Sequence, residues 1–138
     1  AVWARREVAA AFRPGDHGST FAGQPLAAAA GLAVVETMIA LDAPAMAAER
    51  GAELRDALLA LDGVSDVRGL GLLVAAELTE AVRNGRTGAQ IASACADAGL
   101  LVNGVTPTAL RVAPPITVSS VEITEAAGII ESVLGADT

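Results

Sequence analysis

The segment from Asp16 to Gln24 gathers small and hydroxyl-bearing residues that could hold an anion. It reads DHGSTFAGQ and contains the only histidine of the chain, His17. Its small residues leave backbone N–H groups accessible, and Ser19 and Thr20 add hydroxyl donors. A helix beginning at Pro25 would add the positive end of its dipole. The segment therefore suits a phosphate or a carboxylate, although an ordinary polar loop whose hydroxyls cap the next helix would have the same composition.

Arg111 is the second residue whose type and setting could do chemistry. It is the one charged residue in the apolar stretch ALRVAPP, which two prolines end. A guanidinium held on a rigid strand presents a planar fork that matches a carboxylate. Two other interpretations remain open: an arginine that pairs with an internal glutamate, and one that reaches solvent from an edge strand.

Residue counts and spacing argue against three other kinds of functional site. One histidine and one cysteine, far apart in sequence, give no metal-ligand spacing. Asp16, His17 and Ser19 lie too close together in one loop to aim at each other as a catalytic triad does. The glycines of RGLG open a strand, but no third glycine and no following helix complete a dinucleotide fingerprint.

The basic residues exclude one kind of chemistry from this chain alone. All nine are arginines, and there is no lysine. A reaction that needs a lysine amine therefore cannot be completed by these 138 residues by themselves.

The elements that must position these residues follow from apolar periodicity and turn signals. The sequence predicts helices over residues 3–12, 25–41, 44–61 and about 88–98, the fourth capped by Thr87, then a last helix capped by Ser119-x-x-Glu122. It predicts strands over residues 64–67, 72–78, 100–103 and 109–112, with a turn over 104–108. This order indicates a small α+β domain preceded by a long connecting helix. On that helix we predict one broad apolar side made of Leu26, Leu32, Val35, Met38 and Ile39.

Composition and charge exclude several classes of partner. The net charge is −7, only 2% of residues are aromatic and no basic run occurs, so nucleic acid and anionic membrane surfaces are not expected partners. The longest uncharged run, His17–Val35, is interrupted by glycines and a proline, which argues against a transmembrane helix. The single cysteine, Cys95, and the lack of a signal-peptide layout favour a reducing, cytoplasmic location.

Four stretches, in order, carry a resemblance to a known family. PGDHGSTFAGQPLAAAAGLAVVE, VRGLGLLVAAEL, AGLLVN and LRVAPPITVSSVEI resemble segments that follow the catalytic lysine in the class III (subgroup II) pyridoxal-phosphate-dependent aminotransferases. The resemblance covers essentially the whole chain. Ala22 and Gln24 depart from it, because glycine and asparagine are common at those positions.

The resemblance implies a fold and a set of site residues. The fold would be the α+β C-terminal small domain of a fold type I enzyme, a homodimer whose active sites lie at the subunit interface. Thr20 would donate its hydroxyl and backbone N–H to the phosphate of pyridoxal 5'-phosphate in the neighbouring subunit, with Ser19 on the substrate side of the same pocket. Arg111 would recognise a substrate carboxylate, and His17 would serve loop architecture.

The resemblance also implies a division of the chain and a missing part. Residues 1–25 would be a remnant of the large cofactor-binding domain, 26–61 connecting helices, and 62–138 the small domain. The lysine that binds the cofactor lies upstream in the family, so we expect the chain to contain no catalytic residue and to be silent by itself.

The implied reaction moves an amino group from N-acetylornithine to 2-oxoglutarate, in arginine biosynthesis. Within the family, ornithine, 4-aminobutyrate or another ω-amino acid is the alternative donor. From another class, a non-catalytic α+β binding module with no aminotransferase history is the alternative.

Overall fold

The structure, a computed structural model, describes residues 3–16 and 18–136. These residues form two compact units, and the division between the units lies between Leu41 and Asp42. The role predicted for His17 in loop architecture lies outside the described residues. The division into residues 1–25, 26–61 and 62–138 stays a prediction.

The described residues of the first unit form two helices, α1 (Arg6–Ala9) and α2 (Pro25–Ala40). The helix predicted over residues 3–12 is shorter than expected, since α1 is only one turn long. No side-chain cap and no buried residue stabilise a longer helix there. Helix α2 begins at Pro25 as predicted, with the proline in its first turn. No residue of α2 is buried, and the predicted apolar side stays exposed, up to 83% at Leu26.

The second unit is a four-stranded sheet with helices. Its elements are α3 (Ala43–Leu59), β1 (Val64–Leu70), β2 (Leu73–Leu78), α4 (Glu80–Arg83), α5 (Gly88–Asp97), β3 (Asn103–Thr106), β4 (Ala109–Val112) and α6 (Ser120–Gly135). The strand order is β1-β2-β4-β3, and every neighbouring pair is antiparallel. Helices α3 and α5 contact the sheet, and both contact α6.

Strand alternation gives the sheet one buried face. Along β2, Val74, Ala76 and Leu78 are buried, whereas Leu73 is exposed and Ala75 and Glu77 are intermediate. The helices add their apolar stripes to the same core, chiefly Leu54, Leu58, Ile91, Cys95, Ile123, Ala127, Ile130 and Leu134. Burial raises the pKa of the Cys95 thiol, which keeps it protonated and unreactive. Burial of this apolar surface stabilises the unit.

Both predicted helix caps are present as capping boxes. The Thr87 hydroxyl accepts a bond from the Gln90 N–H, and the Gln90 side chain accepts from the Thr87 N–H. The Ser119 and Glu122 side chains do the same at the start of α6. The bond from the Ser119 N–H lowers the pKa of the Glu122 carboxyl. These caps fix where α5 and α6 begin.

Three predictions for residues after 61 were wrong. Strand β1, predicted over 64–67, continues to Leu70, so the first glycine of RGLG lies within β1 and the second lies in the turn before β2. The strand predicted over 100–103 begins only at Asn103, because Leu100 and Val102 are half-buried against the core before pairing with β4 starts. Residues 104–106, predicted as a turn, continue that strand through a bulge. Helix α4 was not predicted, and its one turn carries an ion pair between Glu80 and Arg83.

The contact of α3 with the β1–β2 hairpin requires a glycine. A Cβ atom at Gly51 would overlap the backbone of Gly71. We expect Gly51→Ala to lower the free energy of unfolding by about 1–3 kcal/mol, because backbone cannot move aside as a flexible side chain can. Urea unfolding measures this change.

Gly128→Ala on α6 is the matched control. No heavy atom would lie within 4 Å of its Cβ. This substitution should raise the free energy of unfolding by about 0.5–1 kcal/mol, since alanine costs less chain entropy in a helix. Equal effects of the two substitutions would contradict the close contact.

Candidate functional site

Arg111 lies on an inner strand of the sheet and points away from the core. Its strand, β4, pairs with β2 on one side and β3 on the other, so Arg111 stands across from Ala75 and from Asn103. The neighbours Leu110 and Val112 are buried, and Arg111 itself is exposed. The interpretation of Arg111 as an edge-strand residue is therefore wrong, because the backbone that carries it is paired on both sides.

The guanidinium of Arg111 has one hydrogen bond to a neighbour. Its Nη2 donates to the Asn103 side-chain oxygen at 3.3 Å. No carboxylate pairs with it within residues 3–16 and 18–136, so the interpretation of an internal glutamate partner is not what the structure shows. Most of its donors remain available to a planar acceptor such as a carboxylate.

A second charged group lies on the same face of the sheet, around Glu77 of β2. Arg68 Nη1 on β1 lies 3.0 Å from Glu77 Oε2, and the Thr108 hydroxyl donates to Glu77 Oε1. The Thr108 hydroxyl, and after it Arg68, hold the pKa of the Glu77 carboxyl below its ordinary value. Glu77 is therefore ionised at neutral pH, and its oxygens are already engaged.

The loop with Ser19 and Thr20 lies in the first unit and is exposed. The Ser19 hydroxyl accepts from the Phe21 N–H at 3.3 Å, and the Thr20 carbonyl accepts from Gln24 Nε2 at 3.4 Å. The N-terminus of α2 has Gln24 as its cap residue and no side-chain cap bond. The interpretation that the loop hydroxyls cap this helix is therefore not supported.

Thr20 has the free donors that a phosphate would need. Neither its hydroxyl nor its backbone N–H donates a hydrogen bond within the part of the chain that the structure describes. The first turn of α2 carries no acidic residue that would repel an anion. The loop thus fits a phosphate group on chemical grounds.

Several residues beside Arg111 were not singled out by sequence reasoning. They are Arg68, Glu77, Asn103 and Thr108. The alternation in LVAAEL shows that Glu77 faces away from the core, as Arg111 does. The pairing of these residues depends on the strand register, which alternation alone does not give.

Residues 3–16 and 18–136 contain no group of three or more His, Cys, Asp or Glu side chains that could hold a metal ion. Within the same ranges, no single helix is long and apolar enough to cross a membrane, although α2 and α3 taken as a broken pair pass by length and composition.

Comparison with protein-family models shows to which family the chain is related. The model of the aminotransferase class-III family matches residues 1–134. The chain belongs to the class-III aminotransferase family. This confirms the resemblance predicted from the sequence, and it excludes the alternative of a module with no aminotransferase history.

Two enzyme names occur among the curated relatives of this chain. The chain is 42% identical to the acetylornithine aminotransferase of Bifidobacterium longum over 92% of its own length and 29% of the relative's. It is 37% identical to the ornithine aminotransferase of an Exiguobacterium species over 96% of its length and 32% of the relative's. The chain therefore spans about a third of the length of the curated relatives that it matches.

A solved aminotransferase structure shares the fold of this chain. The acetylornithine aminotransferase of Elizabethkingia anophelis aligns with a TM-score of 0.69 and 28% identity, over 95% of this chain and 33% of that one. The predicted fold class, an α+β part of a pyridoxal-phosphate-dependent transferase, is confirmed by this likeness. The roles predicted for Thr20, Ser19 and Arg111 stay predictions.

Proposed function

We propose that the full-length enzyme transfers an amino group from N-acetylornithine to 2-oxoglutarate, in the biosynthesis of arginine. The observation that carries this proposal is the 42% identity with an acetylornithine aminotransferase over 92% of the chain. Ornithine is the second candidate donor, because an ornithine aminotransferase is 37% identical over 96% of the chain. A cytoplasmic homodimer is part of the proposal.

The loop with Ser19 and Thr20 would hold the cofactor of the neighbouring subunit. The class-III family depends on pyridoxal 5'-phosphate in general, and this cofactor, when bound, withdraws electrons from the substrate. Thr20 would donate its free hydroxyl and backbone N–H to the phosphate, and the N-terminus of α2 would favour the negative charge. Ser19 would lie beside it on the substrate side.

Arg111 would bind a carboxylate of the substrate. Its guanidinium stands on a strand that is paired on both sides. A fork held in this way orients a carboxylate by two parallel hydrogen bonds. The chain would thus supply phosphate anchoring and carboxylate selection, while the lysine amine comes from the preceding part of the enzyme.

The amino donor is tested directly with the full-length enzyme. We expect kcat/KM with 2-oxoglutarate as acceptor to be highest for N-acetylornithine, compared with ornithine and 4-aminobutyrate under the same conditions. A preference for ornithine would replace the first candidate by the second. Absence of transamination with all three donors, or of a lysine in the sequence that precedes Trp3, would overturn the proposal.

A further inference from the structure

Glu77 is a diagonal neighbour of two arginines on the same face of the sheet. In the β1–β2–β4 register, Ala75 stands across from both Arg68 and Arg111, and Glu77 lies two residues further along β2. Diagonal neighbours in antiparallel strands are about 7–8 Å apart at the backbone, which long side chains can bridge. Glu77 can therefore be reached by either guanidinium.

The structure shows which arginine Glu77 contacts. Arg68 Nη1 lies 3.0 Å from Glu77 Oε2, and the Thr108 hydroxyl donates to the other carboxylate oxygen. Arg111 turns to the opposite side, towards β3, where Asn103 accepts a hydrogen bond from it. The carboxylate of Glu77 and the guanidinium of Arg111 are thus held by different partners.

This separation matters because Glu77 resembles the ligand that Arg111 would bind. The Glu77 carboxylate lies on the neighbouring strand and is therefore present at a high local concentration near Arg111. Without a cation of its own, it would compete with a substrate carboxylate for the Arg111 guanidinium. Arg68 supplies a competing cation for Glu77, and Asn103 supplies Arg111 with a neutral acceptor that a carboxylate can displace.

We propose that Arg68 is a positioning residue that holds Glu77 away from Arg111 and so keeps Arg111 free for the substrate carboxylate. The inference rests on the proposed function, since it assumes that Arg111 binds substrate. Thr108 assists by occupying the second oxygen of Glu77. Arg68 itself does not contact the substrate.

The test is a double-mutant cycle in the full-length enzyme. Arg68→Ala should raise KM for 2-oxoglutarate roughly three- to fivefold, the strength of an exposed ion pair, with little change in kcat. Glu77→Gln alone should leave this KM unchanged. The double substitution Arg68→Ala with Glu77→Gln should return KM to the wild-type value, because no carboxylate then competes.

Two further measurements separate positioning from folding. Arg68→Lys keeps a cation beside Glu77 and should keep the wild-type KM, even where Arg68→Ala folds poorly. Melting temperatures recorded for every variant show whether KM follows stability, which would overturn the proposal. A raised KM that Glu77→Gln does not restore, or an unchanged KM in Arg68→Ala, would overturn it as well.

Failure of this inference is distinguishable from failure of the proposed function. If Arg111→Gln leaves KM for 2-oxoglutarate unchanged, Arg111 does not bind the substrate, and the role proposed for it and the present inference both fall. If Arg111→Gln raises KM but the cycle shows no coupling between Arg68 and Glu77, only the present inference falls.

Discussion

Replacing Arg111 by lysine in the full-length enzyme should lower kcat/KM for 2-oxoglutarate roughly 30- to 150-fold, or about 2–3 kcal/mol. Lysine keeps the positive charge but offers a single ammonium in place of the planar fork, so one of two parallel hydrogen bonds is lost. Initial rates at several 2-oxoglutarate concentrations give this value.

Arg50→Lys is the matched control for this prediction. Arg50 lies on α3, where its guanidinium pairs with Glu49 and Glu53, and no role in the site is proposed for it. Its replacement should leave kcat/KM close to that of the wild type. An unchanged specificity constant in Arg111→Lys would rule out carboxylate recognition by Arg111.

Thr20→Val in the full-length enzyme should weaken the binding of pyridoxal 5'-phosphate roughly 10- to 100-fold. Valine has nearly the same shape as threonine but lacks the hydroxyl, so the phosphate would lose one charge-assisted hydrogen bond while the backbone N–H remains. Titration of the apoenzyme with the cofactor, followed by absorbance, measures the dissociation constant.

Two variants of similar chemistry serve as controls. Thr20→Ser keeps the hydroxyl and should bind the cofactor nearly as tightly as the wild type. Thr37→Val removes a hydroxyl that donates to the Ala33 carbonyl within α2, and it should leave cofactor binding unchanged. Equal affinity in Thr20→Val and the wild type would contradict the role of Thr20.

A mixed dimer tests whether Thr20 serves the neighbouring subunit. One subunit carries Thr20→Val and the other lacks the cofactor-binding lysine. If Thr20 acts across the interface, one of the two sites keeps both its lysine and its threonine and binds the cofactor with wild-type affinity. If it acts within its own subunit, neither site is intact.

Most elements of the fold were predictable because their signals are local. Pro25 marks the start of α2, and the two capping boxes mark the starts of α5 and α6. The strand at 100–103 was misplaced because Leu100 and Val102 carry the apolar character of a strand but serve the core before pairing begins. Pairing depends on the partner strand, which local composition does not contain.

The candidate site was predictable only in part, and the reason is register. Arg111 was recognisable as a charged residue in an apolar strand, and the loop with Ser19 and Thr20 was recognisable by its small and hydroxyl-bearing residues. The contacts of Arg111 with Asn103, and of Glu77 with Arg68, join residues eight and nine positions apart through strand pairing. A one-residue shift of either strand would remove these contacts, so they become visible only in three dimensions.

The inner position of β4 has a consequence for how the proposed site would be lost. Amide hydrogens in a strand paired on both sides exchange with solvent mainly when the whole unit unfolds, whereas those of an exposed loop exchange through small local openings. Amides around Arg111 should therefore be among the slowest of their unit to exchange, and those around Thr20 among the fastest of theirs. Carboxylate recognition by Arg111 would then persist until its whole unit unfolds. Phosphate anchoring by Thr20 would be lost in a local opening, whose free energy is far lower than that of unfolding the unit.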